Sequence, residues 1–169
     1  MYGDPERTRL IAHTAAFVAL ITLGGWLSIP FLPVPITLQT LFVLLAGAIL
    51  KRRGVVPVGL YVLLGALNFP VFHSGLSGVG VLLGPTGGYI LGFIPGALII
   101  GLAYERASPA IRVGGIVAAN LSIYTVGILW LLYSTGISLP YALVFGMAIF
   151  IPGDFLKGIG VYLTAKRLG

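Results

Sequence analysis

Residues 54–104 read GVVPVGLYVLLGALNFPVFHSGLSGVGVLLGPTGGYILGFIPGALIIGLAY, 51 positions without Asp, Glu, Lys or Arg. Arg53 closes the tract on one side and Glu105 on the other. A membrane-spanning helix takes about 20 apolar residues, so a tract this long holds two spans and their connection. Residues 10–50 and 113–153 behave alike: each is 41 residues long and equally free of formal charge. Three such tracts in one chain specify an all-α integral membrane protein with six spans, near 10–29, 36–50, 55–68, 87–104, 113–133 and 152–168.

Composition agrees. The chain has 169 residues, of which 58% are hydrophobic and 8% charged, and its mean hydropathy is +1.08. Soluble domains carry roughly a quarter charged residues, and too little polar surface remains here to coat a globule in water. A soluble enzyme, a nucleic-acid-binding domain and a disordered tail are excluded. The absence of cysteine excludes disulfides, thiolate metal sites and cysteine catalysis.

The +6 net charge is a statement about topology. With the N-terminus inside, the cytoplasmic segments hold Arg7, Arg9, Lys51, Arg52, Arg53, Arg106, Arg112, Lys166 and Arg167, nine of the ten basic residues. The intervening outer loops, 30–35, 69–86 and 134–151, hold none. That asymmetry predicts N-in, C-in and an even number of spans in the cytoplasmic membrane. Residues 1–9 form a short cytoplasmic tail, and 10–169 a single transmembrane domain. The first apolar run is too long for a signal-peptide core, and no small-residue cleavage site follows it. In the last tract, Ile151-Pro152-Gly153-Asp154 interrupts the apolar run. Proline and an acidic side chain both suit the start of a helix, so the sixth span starts at Pro152 and 138–150 is an external or partly inserted helix.

Apart from Lys166 and Arg167 at the cytoplasmic end of the last span, Asp154 and Lys157 are the only formal charges inside the spans, and at i, i+3 they share a helix face. Charges in a membrane are costly and meet a partner, a cavity or a substrate. The two are therefore either a neutralising pair or a polar ligand site, and one pair can be both. Gln39 and Thr40 open the second span, Asn68 ends the third and Tyr89 begins the fourth. Asn120, Ser122, Tyr124 and Thr125 lie in the fifth. A buried amide needs a hydrogen-bond partner, which for Asn120 is either a neighbouring helix or a ligand. The glycine-rich stretch 74–88 lacks GxxxxGK[ST] and GxGxxG, so it cradles no phosphate; it is a loop over a pocket or a connector. Ala12 with Ala16 and Ala15 with Ala19 form a small-residue face where another helix can approach closely. Gly92-xxx-Gly96 reads as internal packing. His13 and His73 fall on opposite sides of the membrane and cannot share a metal.

PVPITLQT (33–40), GVLLGPTGGY (80–89), Tyr124-x-x-Gly127-x-x-Trp130 and Pro152-Gly153-Asp154-Phe155-Leu156-Lys157 occur in this order across nearly the whole chain. In these motifs the sequence resembles the BioY family, the biotin-specific S-components of energy-coupling factor (ECF) transporters. The resemblance implies a six-helix S-component fold with a biotin pocket near the outer face, closed by external loops. It implies that Asp154 and Lys157 are part of the pocket, and with them Gln39, Asn68, Leu82, Leu83, Thr86, Tyr89, Asn120 and Tyr124 are the candidate substrate contacts of the motifs and the polar layer. Val81 joins Leu82 and Leu83 as apolar lining. The alanine face of the first helix would dock onto a transmembrane coupling subunit, with two cytoplasmic ATPase subunits supplying energy. The partners are thus biotin, these subunits and the lipid bilayer, with no nucleic acid, no cofactor, no metal and no catalytic residue. Two alternatives stand beside it: an S-component for another vitamin, and a non-transport packing subunit or intramembrane enzyme.

Overall fold

A computed structural model describes residues 4–168; residues 1–3 of the predicted tail, and Gly169, lie outside the described residues. Eight α-helices are described. They are α1 (Pro5–Trp26), α2 (Gln39–Leu50), α3 (Val55–Ala66), α4 (Val79–Leu83), α5 (Gly87–Tyr104), α6 (Pro109–Thr135), α7 (Leu139–Leu143) and α8 (Ile151–Leu168). A two-residue antiparallel pair, β1 (Ser28–Ile29) with β2 (Ile36–Thr37), closes the proline-rich turn between α1 and α2.

Helix starts follow local chemistry. The Asp4 side chain accepts the Glu6 N–H at 3.0 Å and Pro5 takes the first helical position, an arrangement favoured at N-termini. Helix α1 therefore starts five residues before the apolar run that predicted it, and residues 5–9 are helix rather than tail. Ser108 and Pro109 open α6 in the same way. At the other end of α3, Asn68 sits at φ 68°. The Asn68 N–H bonds back to Gly65 at 3.2 Å and the Phe69 N–H to Leu64 at 3.1 Å, so the chain leaves the helix through a left-handed residue.

Among the described residues, four helical stretches are long and apolar enough to cross a membrane: Pro5–Trp26, Gly87–Tyr104, Pro109–Thr135 and Leu139–Leu168. Helices α2 and α3, predicted as spans over 36–50 and 55–68, are 12 residues each. At 1.5 Å per residue each covers about 18 Å, short of a hydrocarbon core of about 30 Å. The proline turn trims α2, and the Asn68 stop trims α3. The predicted 138–150 helix is a five-residue α7 followed by a π-turn over Val144–Ala148, and the next helix starts at Ile151 beside Pro152.

Helices α5 and α6 form the central pair. A Cβ on Gly92 would stand 3.2 Å from the Ile123 backbone and one on Gly96 2.9 Å from its side chain, so this small-residue pair is internal packing. One apolar cluster joins Phe17, Ile21, Tyr61, Phe72, Phe93 and Leu131; a second joins Leu44, Ile100, Tyr104, Ile116 and Val161. At the end of the bundle near the second cluster, Arg52 makes a two-pronged pair with Glu105 at 2.6 and 2.7 Å, and Arg53 meets Glu6 at 2.9 Å. The hydrogen bonds of the first pair raise the pKa of Arg52 above its ordinary value and lower that of Glu105. These contacts gather the start of α1, the α2–α3 turn and the α5–α6 turn at one basic end. The candidate site lies at the other.

Candidate functional site

Helix α8 opens with its first turn against α2 and α6. Asp154 lies in that turn, where the outward-pointing N–H groups favour a negative side chain, and its own N–H bonds to Phe150 at 2.8 Å. The Lys157 ammonium donates to Asp154 Oδ1 at 2.7 Å and to Thr40 Oγ1 at 2.9 Å, and Thr40 donates to Asp154 Oδ1 at 3.2 Å. The Tyr124 hydroxyl donates to Asp154 Oδ2. Both charges are withdrawn from solvent, with side chains 7% and 12% exposed. A buried pair is tolerated when its remaining donors and acceptors are satisfied, and here two hydroxyls do that.

Gln39 extends the polar wall. Its amide N–H donates to the Tyr61 hydroxyl, and Thr37 Oγ1 donates to its oxygen at 3.3 Å. Tyr61 packs edge-on to Phe72 with ring centroids 5.6 Å apart. That contact anchors the 69–78 loop beside the site. Next to Phe72, His73 Nε2 lies 3.1 Å from Thr86 Oγ1 and bridges this loop to the start of α5. Burial pushes the His73 imidazole below its usual pKa.

Asp154, Lys157, Thr40, Tyr124, Gln39, Thr37, His73 and Thr86 line one cavity of about 50 Å³, together with apolar residues of which Ile90, Phe93, Ile123 and Phe150 are the largest, while Tyr61 and Phe72 stand behind this wall. That volume holds a few water molecules. A wider chamber of about 890 Å³ lies outside it, lined by the 30–35 turn, Leu76, Gly80, Val81 and Pro85. Pro35, His73 and Thr86 line both chambers, so they form the partition.

The three positions of Tyr124-x-x-Gly127-x-x-Trp130 have separate tasks on one face of α6. Tyr124 holds Asp154. Gly127 seats the Tyr89 ring, since a Cβ there would come within 2.4 Å of it. Trp130 donates its indole N–H to Gly84 at 3.0 Å and ties down the turn before α5. The Tyr89 hydroxyl in turn donates to Gly146 at 2.8 Å.

Of the sequence-derived site residues, Asp154, Lys157, Gln39, Thr86, Tyr89 and Tyr124 converge on the inner cavity. Four do not line it. Asn68 is exposed and serves as the left-handed stop of α3. Leu83 is 63% exposed, and Leu82 packs against the core; the short α4 turns both away from the cavity. Asn120 donates to Ile116 at 3.0 Å within its own helix and lines a groove between α6 and α8, with its Oδ1 unpartnered among the described residues. Thr37, Tyr61, His73 and Phe150 were missed. His73 carried a usable signal, a titratable side chain in an otherwise uncharged outer loop, but nothing in its neighbourhood names Thr86 as its partner. Ala12, Ala15, Ala16 and Ala19 all lie on the exposed face of α1, opposite buried Thr14, Phe17 and Ile21.

Residues 3–169 match the BioY family. The "Biotin transporter BioY" of Thermotoga maritima is 41% identical over 162 residues, covering 95% of each chain. The "Probable biotin transporter BioY" of Pyrococcus horikoshii is 36% identical over 163 residues, covering 96% of this chain and 97% of that one. The fold superimposes on a crystal structure of the S-component for biotin from an ECF-type ABC transporter with a TM-score of 0.86. That match has 28% identity and covers 99% of this chain and 94% of the other. With residues 3–169 matched, relatives more than a third identical over nearly the whole chain and the fold shared, the chain belongs to the BioY family.

Proposed function

We propose that this chain is the biotin-specific S-component of an ECF-type transporter, a membrane subunit that captures biotin at its outer face and hands it across the cytoplasmic membrane. The observation that carries this is the buried Asp154–Lys157–Thr40–Tyr124 cluster, at the end of the bundle away from the basic loops, in a chain of this family. A fixed acceptor beside a fixed donor suits a planar ureido ring. Asp154 accepts its N–H groups, while Lys157 and Gln39 reach its carbonyl. Ile90, Phe93, Ile123 and Phe150 offer apolar surface to the rings. Hydrogen bonds to charged groups are each worth about 1.5–3 kcal/mol, so a few of them in a dry site give tight binding. The ligand is moved and not changed.

In this reading the basic end faces the cytoplasm, N-in and C-in. Helices α2 and α3 complete two of six passes with the segments that flank them. The alanine face of α1 docks onto a transmembrane coupling subunit, and two ATPases drive the cycle. The test is radiolabelled biotin binding to the purified chain in detergent, with thiamine and riboflavin as competitors. Saturable binding that only biotin displaces supports the proposal. Binding displaced by another vitamin makes the chain a sister S-component, and no vitamin binding at all refutes it.

A further inference from the structure

We propose that the site accepts biotin whose acid tail has been converted to an ester or an amide, so that tail-extended conjugates are ligands alongside the free acid. This rests on the biotin reading above. It follows from where charge and space lie in the two chambers.

Formal charge in the inner cavity is confined to Asp154 and Lys157, 2.7 Å apart. The pair is neutral as a unit and presents an acceptor beside a donor. A ureido group has the matching pattern, N–H beside C=O. A carboxylate does not, because its oxygens would stand against those of Asp154, and like charges at such range repel. The ring system therefore enters first, spreading walls that enclose only about 50 Å³, and the tail trails outward, past Pro35 and the His73–Thr86 bridge, into the outer chamber.

No Lys or Arg lines that chamber among the described residues. Its polar side chains are already engaged: His73 with Thr86 at 3.1 Å, and Ser74 with Ser28 at 3.0 Å. A tail carboxylate there meets no cation, so ionisation gains nothing over a neutral ester or amide. Room points the same way, since the outer chamber measures about 890 Å³ against about 50 Å³ inside. Added atoms on the tail enter open space lined by Phe31, Leu32, Leu76 and Val81. Discrimination sits at the ring end, and the tail end is permissive.

The test is displacement of radiolabelled biotin from the purified full chain in detergent by four probes: biotin methyl ester, biotin N-propylamide, Nε-biotinyl-lysine and a ureido N-methyl biotin. The ester, the amide and the lysine conjugate should each bind within about tenfold of biotin. The N-methyl compound should lose on the order of 10- to 150-fold, the usual cost of one hydrogen bond to a charged group. A loss beyond tenfold for the neutral amide, with biotin itself bound tightly, overturns this proposal alone, because a cation or charge-assisted bond must then meet the carboxylate. Full affinity of the N-methyl compound overturns it too, since the ring end would lie elsewhere. Failure of biotin itself to bind refutes the assigned function, and this proposal falls with it.

Discussion

Lys157→Met, Asp154→Asn and the double variant separate the two roles of the buried pair. Removing one member of a buried ion pair typically costs about 3–5 kcal/mol, because the other charge is stranded. Lys157→Met leaves the Asp154 carboxylate with hydroxyl donors from Thr40 and Tyr124, so it should fall near the lower figure. Asp154→Asn leaves the ammonium with Thr40 as its main acceptor, and should fall nearer the upper one. In the double variant no charge is stranded. Its stability loss should be smaller than the sum of the singles, with a coupling of about 1–3 kcal/mol. Biotin affinity should behave differently. Each single variant loses a hydrogen bond to a charged group, about 1.5–3 kcal/mol, or 10- to 150-fold in Kd, and the double variant recovers none of it. The measurements are thermal unfolding midpoints of ligand-free protein in detergent and biotin Kd by titration. If all three variants bind biotin like wild type, the pair is structural and the site is misassigned. If the stability losses simply add, the two charges are not coupled as their 2.7 Å contact requires.

Gly127→Ala places a methyl group 2.4 Å from the Tyr89 ring. Overpacking of this kind costs about 1–3 kcal/mol of stability, so the unfolding midpoint of the ligand-free protein should fall, while Gly153→Ala, with nothing within 4 Å, should not lower it. His73, whose pKa is lowered by burial, takes up protons more readily unfolded than folded. Its contribution to stability is therefore present above the unfolded value near 6.5 and is lost as pH falls below it. The unfolding midpoint should drop between about pH 7 and pH 5, and His73→Gln should flatten that drop; an unchanged profile counts against the burial of this imidazole. Ala16→Trp, on the exposed face of α1, should leave biotin binding intact and abolish ATP-dependent uptake; loss of both together would make that face structural. Finally, Ser77→Cys should react with an impermeant thiol reagent added to intact cells and Ser108→Cys should not, and the reverse pattern inverts the topology.

Much of the architecture is legible in one dimension because a membrane imposes a simple rule. Backbone polar groups in lipid must be satisfied within helices, so long uncharged tracts translate into apolar helices, though not into their exact number of passes. The predicted 87–104 coincides with α5, and the Pro152 break falls within one residue of the start of α8. Helix ends set by short-range contacts are less visible: Asp4 and Pro5 extend α1 into the predicted tail, and Asn68 at positive φ stops α3. In the site, charge was the legible signal. Asp154 and Lys157 stand out because every other formal charge lies in or near the basic loops, whereas Thr37 and Phe150 look like any other residue of an apolar helix or loop.

The sequence by itself determined the class of protein, the basic and neutral ends of the bundle, and the charged pair that the candidate site is built around. Each of these follows from which residue types lipid tolerates, and composition and order record that. Only the tertiary structure decided which polar groups share a cavity. Thr40 reaches Asp154 across 114 positions and His73 reaches Thr86 across 13, while Asn120, four residues from Tyr124, lines only the α6–α8 groove that Tyr124 and Asp154 also border, and not the inner cavity. Contacts of this kind depend on helix rotation and on glycine seats such as Gly127 beneath Tyr89, and neither is written in the local run of residues.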